Sequence, residues 1–239
     1  MPNPTAAMLV IGDEILSGRT RDSNMHHLAG QLTDVGIDLK EVRVIGDEHG
    51  AIIASVQALS QRYDYVFTSG GIGPTHDDIT ADCIAAAFDK GIDVREDARA
   101  ILAEHYEKSG TELNAARLRM ARIPDDATLI DNPVSAAPGF KLENVHVMAG
   151  VPAVFQAMVA SVLPTLTGGA PLISKTMRIT RGEGDIAGPL GELADAFPLL
   201  SMGSYPFQKD GVYGAHIVIR GNDEEDIDAA LEKLKAAFS

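Results

Sequence analysis

The sequence is poor in cysteine and in positive charge, and it lacks several familiar motifs. Its 239 residues include one cysteine and no tryptophan. One thiol excludes a disulfide framework and a cysteine-based zinc site. Basic residues number 20 against 34 acidic ones, a formal charge of -14. Such a balance argues against general binding to nucleic acid or to anionic membranes, because no basic surface is available to displace counterions. No stretch approaches the ~18 apolar residues that span a bilayer. The N-terminus has no basic segment ahead of its short apolar run from Ala6 to Ile11, which reads as a first strand and not as a signal peptide. A cytoplasmic protein is the expectation. There is no internal repeat, no low-complexity tract, and no Ser-His-Asp or Cys-His constellation at recognisable spacing. With 45% apolar and 23% charged residues, the composition is that of a globular protein, and the length suits one large domain or a large one plus a small one.

Up to about residue 165, strand-like runs alternate with helical patterns. Strands are expected over Ala6–Ile11, Leu39–Ile45 and Tyr65–Thr68. Helices are expected over Ser23–Val35, with Ser23 or Asp22 as cap, and over Glu48–Arg62, with another starting near Thr80. Single helices between strands imply a parallel sheet with right-handed crossovers. Two further helices, Glu96–Lys108 and Leu113–Ala121, precede a short strand, Thr128–Asp131. A hairpin of Phe140–Leu142 with Val145–Met148 and a helix, Val151–Leu163, complete this unit. Thr167 to Pro171 reads as a linker. Beyond it come strand (Ile173–Thr180), helix (Asp185–Ala196), two strands (Leu200–Pro206 and Val212–Arg220) and helix (Glu224–Phe238), a small α+β unit. The expected division is 1–167 and 172–239.

The third strand runs into Ser69-Gly70-Gly71-Ile72-Gly73-Pro74-Thr75, and a helix follows. Three glycines in four positions let successive amides converge on an anion, since no Cβ blocks the approach. The helix N-terminus adds partial positive charge. The loop is neither a Walker A motif nor a Gly-x-Gly-x-x-Gly fingerprint, and a plain tight turn is the alternative reading. His76-Asp77-Asp78-Ile79-Thr80 then sets two carboxylates beside the loop. Carboxylates repel phosphate unless a cation such as Mg²⁺ joins them, so Asp77 and Asp78 are candidate metal ligands; Asp78 or Thr80 is equally a helix cap. Acidic turns also follow the first two strands, Gly12-Asp13-Glu14 and Gly46-Asp47-Glu48. In an open parallel sheet these turns gather at the carboxyl edge. Asn24, on the first turn of its helix, is expected to face the same crevice and read a base or ribose edge. The loop from Asn132 to Phe140, with Pro138 and Gly139 as candidate ligand contacts, either walls the pocket or merely connects. Gly188-Pro189-Leu190-Gly191 is similar to the loop of KH RNA-binding modules, but its surroundings are acidic.

Four segments occur in the order seen in the MoaB/Mog molybdopterin-binding superfamily: Gly12–Gly18, Ser69–Thr80, Asn132–Phe140 and Gly150-Val151-Pro152. They most resemble the N-terminal domain of the CinA (competence/damage-inducible) family over about residues 5–166. The tail from about residue 172 is similar to the small KH-like segment that follows that domain. The resemblance implies a three-layer α/β/α fold with a mostly parallel sheet, and a homo-oligomer, either dimer or trimer. It implies one of two chemistries in one pocket. The first is metal-dependent pyrophosphate cleavage of ADP-ribose, or of FAD in relatives attached to FAD synthases. The second is binding and adenylylation of molybdopterin. By motif match, Gly70, Gly71, Ile72, Gly73 and Thr75 hold phosphate, Asp78 is the main catalytic or metal-linked acid, and Glu14 and Asp47 complete the acidic side. Without a C-terminal deamidase domain, nicotinamide mononucleotide deamidase activity is expected to be absent. Ser135 stands where the family commonly has glycine, and Ala149 where it commonly has proline.

Overall fold

A computed structural model describes residues 2–238 and divides into two compact units after Gly169. The first contains β1 (Thr5–Ile11), α1 (Asp13–Leu16), α2 (Asn24–Asp34), β2 (Asp38–Ile45), α3 (His49–Arg62), β3 (Tyr65–Ser69), α4 (Thr80–Ala87), β4 (Ile92–Val94), α5 (Glu96–Lys108), α6 (Ala115–Leu118), β5 (Arg122–Pro124), β6 (Thr128–Ile130), β7 (Gly139–Leu142), β8 (Val145–Met148) and α7 (Pro152–Val162). Six strands form one sheet in the order β2-β1-β3-β8-β7-β6. The first four are mutually parallel, and β7 and β6 turn the far side antiparallel. β4 and β5 pair apart from it.

Residue alternation along β1 explains the layers. Ala7, Leu9 and Ile11 enter a core with Ile52, Val56 and Leu59 of α3, Ile84 of α4 and Leu102 of α5. Ala6, Met8 and Val10 enter a second core with Leu28 and Leu32 of α2 and Phe155, Met158 and Val159 of α7. A strand covered on both faces reads as an unbroken apolar run, and β1 is such a strand. The result is a three-layer α/β/α body with a mostly parallel sheet.

One expectation fails here. The stretch Leu113–Ala121 is not one helix: α6 makes a single turn and Arg119–Ala121 is a tighter 3-10 turn. β4 and β5 do not stand out in the sequence, being three residues each and carrying Asp93, Arg122 and Pro124.

His146, in β8, is 1% exposed and stacks on Phe67 at 5.0 Å between ring centres. Burial favours its neutral form and pushes its pKa down to about 4. The unfolded chain therefore takes up a proton near pH 6.5 that the fold refuses until about pH 4. This contribution to stability is fully present above pH 6.5 and is lost as pH falls through that window. Urea unfolding at pH 7 and pH 4 should show a pH-dependent loss in the native chain about 3 kcal/mol larger than in His146→Leu.

The second unit contains β9 (Ile173–Ile179), α8 (Glu183–Ala196), β10 (Ser201–Lys209), β11 (Val212–Gly221) and α9 (Glu224–Ala237). Its antiparallel sheet has the order β10-β11-β9, with α8 and α9 packed over Ala215, Ile217 and Ile219. β10 does not stop at Pro206 as expected but runs to Lys209. It is an edge strand, where proline's missing N–H removes no essential ladder bond. Gly188-Pro189-Leu190-Gly191 lies inside α8 and forms no loop, which removes the likeness to a KH loop at this position.

Candidate active site

β1 connects through α2 to β2 on one side, while β3 pairs with β1 on the other. Strand order thus reverses beside β1, and the crevice at the carboxyl ends of β1 and β3 is the place where open α/β sheets bind ligands. A cleft of about 580 Å³ opens there, within the usual range for small-molecule sites. Its wall includes Gly12 and Glu14 after β1, Asp47 after β2, Gly70–Gly73 with Asp77 and Asp78 after β3, and Gly150–Pro152 after β8.

The glycine loop needs its glycines for conformation and for space. Gly70 and Gly71 have φ of 110° and 69°, in the left-handed region. A Cβ on Gly70 would collide with the Ile11 carbonyl, and one on Gly71 with the Thr80 hydroxyl. Gly150 closes from the other side, where a Cβ would stand 3.2 Å from the Gly70 Cα. A Cβ on Gly73 would lie 2.7 Å from Asp78 Oδ2, so the carboxylate packs directly against the loop.

Asp78 closes its own turn. The Thr75 amide and hydroxyl donate to Oδ2 at 2.7 and 2.6 Å. Neither Asp78 nor Thr80 caps α4; the Thr80 amide donates instead to the Gly71 carbonyl at 2.9 Å. That bond ties the helix to the loop. Asp47 Oδ2 accepts from the Asp13 amide at 3.0 Å. Burial raises the Asp47 carboxyl above its ordinary range, and the charges of Asp13, Glu14 and Asp77 push the same way against that hydrogen bond. The acidic wall is therefore short of positive charge.

The structure brings Glu14, Asp47, Asp77, Asp78, Gly70, Gly71, Ile72 and Gly73 to one cleft. Other candidates fall elsewhere. Thr75 is exposed, off the cleft wall and bound to Asp78. Pro138 lines a small adjoining hollow. Gly139 is buried in β7, where a Cβ would strike the Val147 carbonyl. Asn24 is 3% exposed and does not face the crevice. Its Nδ2 donates to Ser69 Oγ at 2.8 Å and to the Gly150 carbonyl at 2.7 Å, tying the two loops together beneath the cleft. Of the two expected caps, Asp22 accepts from the first amides of α2 and Ser23 does not. Asn24→Ala leaves the buried Ser69 hydroxyl without this donor and should cost about 2 kcal/mol in urea unfolding.

Thr20, Met120 and Asn132 also line the cleft, although motif reading gave them no role. Asn132 had an available signal in the Asn-Pro pair, a turn former. Its side chain holds the loop from within, accepting from the Val134 and Ser135 amides and donating to Ser135 Oγ and the Ala137 carbonyl. Ser135 thus supplies a bond that glycine could not.

Comparison with known proteins agrees with this architecture. A family model described as "Probable molybdopterin binding domain" matches residues 7–168. The chain belongs to the molybdopterin-binding-domain family. A second model, "FAD synthase, middle domain", matches residues 171–239. A "Probable FAD synthase" of Caenorhabditis elegans is 32% identical over 97% of this chain and 49% of its own length. The chain therefore spans about half of that relative. A Pyrococcus furiosus protein is 32% identical over 97% of this chain and 96% of its own length. The crystal structure of CinA, titled as of unknown function, from Thermoplasma acidophilum covers 68% of this chain and 97% of its own at 32% identity, with a TM-score of 0.62. Among the described residues, no helix is long and apolar enough to cross a membrane.

Proposed function

We propose that this member of the molybdopterin-binding-domain family is an enzyme that hydrolyses the pyrophosphate bond of a dinucleotide-like substrate, ADP-ribose or FAD. One observation carries the reading: the glycine loop and four carboxylates line the same cleft. The likeness to chains named as probable FAD synthases supports a dinucleotide.

The fit to a divalent cation such as Mg²⁺ is that of a shared site. Glu14, Asp47, Asp77 and Asp78 supply hard oxygen donors on one cleft wall. Among the described residues no three His, Cys, Asp or Glu side chains form a ready-made cluster. Asp77, beside Asp78, would hold such an ion, and water and phosphate oxygens would complete its shell, the usual arrangement for Mg²⁺. When bound, the ion offsets phosphate charge and acidifies water.

The chain's own groups do the rest. Amides of Gly71, Ile72 and Gly73 donate to phosphate oxygens as charge builds on them. Asp78 keeps Oδ1 unengaged while Thr75 fixes Oδ2, so Oδ1 takes the proton of the attacking water. The water oxygen bonds to phosphorus, the bridging P–O bond breaks, and AMP leaves with ribose 5-phosphate or FMN. A homo-oligomer, dimer or trimer, is part of this proposal.

Incubation of the purified chain with ADP-ribose or FAD and Mg²⁺, read by chromatography, should release AMP. The family description favours a second reading, molybdopterin binding or adenylylation. A pterin retained through purification, with no AMP released, would support it. Ligand-dependent thermal stabilisation without any product would mark a binding module.

A further inference from the structure

We infer that Arg119 binds the phosphate seated on the glycine loop, an inference that rests on the reading of the cleft given above. The residues lining the cleft include four carboxylates and no lysine, arginine or histidine. A diphosphate entering this space adds negative charge to a wall that already repels it. Burying such charge without a partner is costly, so the loop amides alone leave the electrostatics uncompensated.

A small hollow adjoins the cleft and shares Ile72, Gly73, Asp78 and Met120 with it. Two arginines, Arg119 and Arg122, line this hollow. Arg122 is committed, since its two terminal nitrogens donate to the two carboxylate oxygens of Asp82 at 2.8 and 2.6 Å. Arg119 is not. It makes no ion pair with a described carboxylate, and its Nη2 donates only to the Asp78 backbone carbonyl at 3.4 Å. Its Nε is buried with no partner. A partly buried guanidinium with a long, neutral contact and an orphaned donor is poorly satisfied in the free protein.

Arg119 opens the 3-10 turn Arg119–Ala121, whose last carbonyl accepts from the Arg95 amide at 2.9 Å, so its backbone is anchored. The side chain reaches the Asp78 carbonyl and lines the hollow together with Gly73, at the end of the loop nearest the catalytic carboxylate. The exchange of one long carbonyl contact for a charge-assisted bond to phosphate oxygen is favourable. Arg19 and Arg21 are the competing cations. They flank Thr20 at the cleft but are exposed, and water screens their charge.

The test is calorimetric titration of the full chain with inorganic pyrophosphate plus Mg²⁺, and separately with adenosine, which carries no phosphate. Arg119→Gln should weaken pyrophosphate about 30-fold, the loss expected of one charge-assisted phosphate contact, and leave adenosine unchanged. Arg119→Lys should recover part of the loss. The double variant Arg19→Gln with Arg21→Gln should weaken pyrophosphate by less than about threefold. Equal loss of both ligands in Arg119→Gln would reduce Arg119 to a structural support and overturn the assignment. So would unchanged pyrophosphate binding in that variant, or a larger loss in the rim double variant. If the unaltered chain binds no pyrophosphate, the reading of the cleft fails, and the role of Arg119 fails with it.

Discussion

Asp78→Asn should lower kcat for pyrophosphate hydrolysis about 10³-fold, within the range for loss of a general base, while the fold survives. Asparagine keeps an oxygen at the position where Oδ2 accepts from the Thr75 amide and hydroxyl, at 2.7 and 2.6 Å. The turn from Thr75 to Ile79 therefore closes as before, and the Thr80 amide stays on the Gly71 carbonyl. What is lost is the charge at the second oxygen and its capacity to take a proton. The thermal midpoint should move by no more than about 2 °C. Turnover at the unaltered rate would mean that another group serves as base, with Glu14, Asp47 and Asp77 the other carboxylates on the same wall.

Gly70→Ala should be severely damaging. The residue sits at φ 110°, where alanine is strained, and the added Cβ would be driven into the carbonyl of Ile11 in β1. Neither side can yield cheaply, because β1 is held between β2 and β3 in the sheet and Gly150 packs against Gly70 from the far side. A loss of about 3–5 kcal/mol in urea unfolding is expected, together with loss of ligand binding. Gly18→Ala is the matched control. Its φ is 73°, but nothing lies within 4 Å of its Cβ position, so only the conformational cost of about 1–2 kcal/mol applies. Equal losses in the two variants would show that strain alone, and not closure of the crevice, governs the loop.

The two-faced core was legible because burial on both sides leaves an unbroken apolar run, as in β1, and because Leu28 and Leu32 repeat at helical spacing. The acidic turns were legible as a group: parallel strands deliver their following turns to one edge, and Glu14, Asp47 and Asp78 meet there. Side-chain direction was not legible. Asn24 opens α2 beside the crevice, yet it turns inward to satisfy Ser69 and Gly150, a choice set by a carbonyl 126 residues away in sequence. Gly139 has the residue type of a ligand loop but serves β7 against Val147. The Asp210-Gly211 pair, both at positive φ, marks the β10–β11 turn and therefore the true end of β10. Pro206 obscured it, since proline ends most strands but not an edge strand. Arg119 was hidden inside an apparent helix whose single turn gives way to a 3-10 turn.

The proposed hydrolysis requires loop amides and carboxylates to meet around one phosphorylated ligand. A crystal of the Asp78→Asn chain soaked with ADP-ribose and Mg²⁺ tests this most directly, because the substrate should remain intact. Electron density for the pyrophosphate on the Gly71–Gly73 amides, beside Glu14 and Asp47, is the predicted result. Density for the pyrophosphate elsewhere on the molecule, with the glycine loop empty, would contradict it.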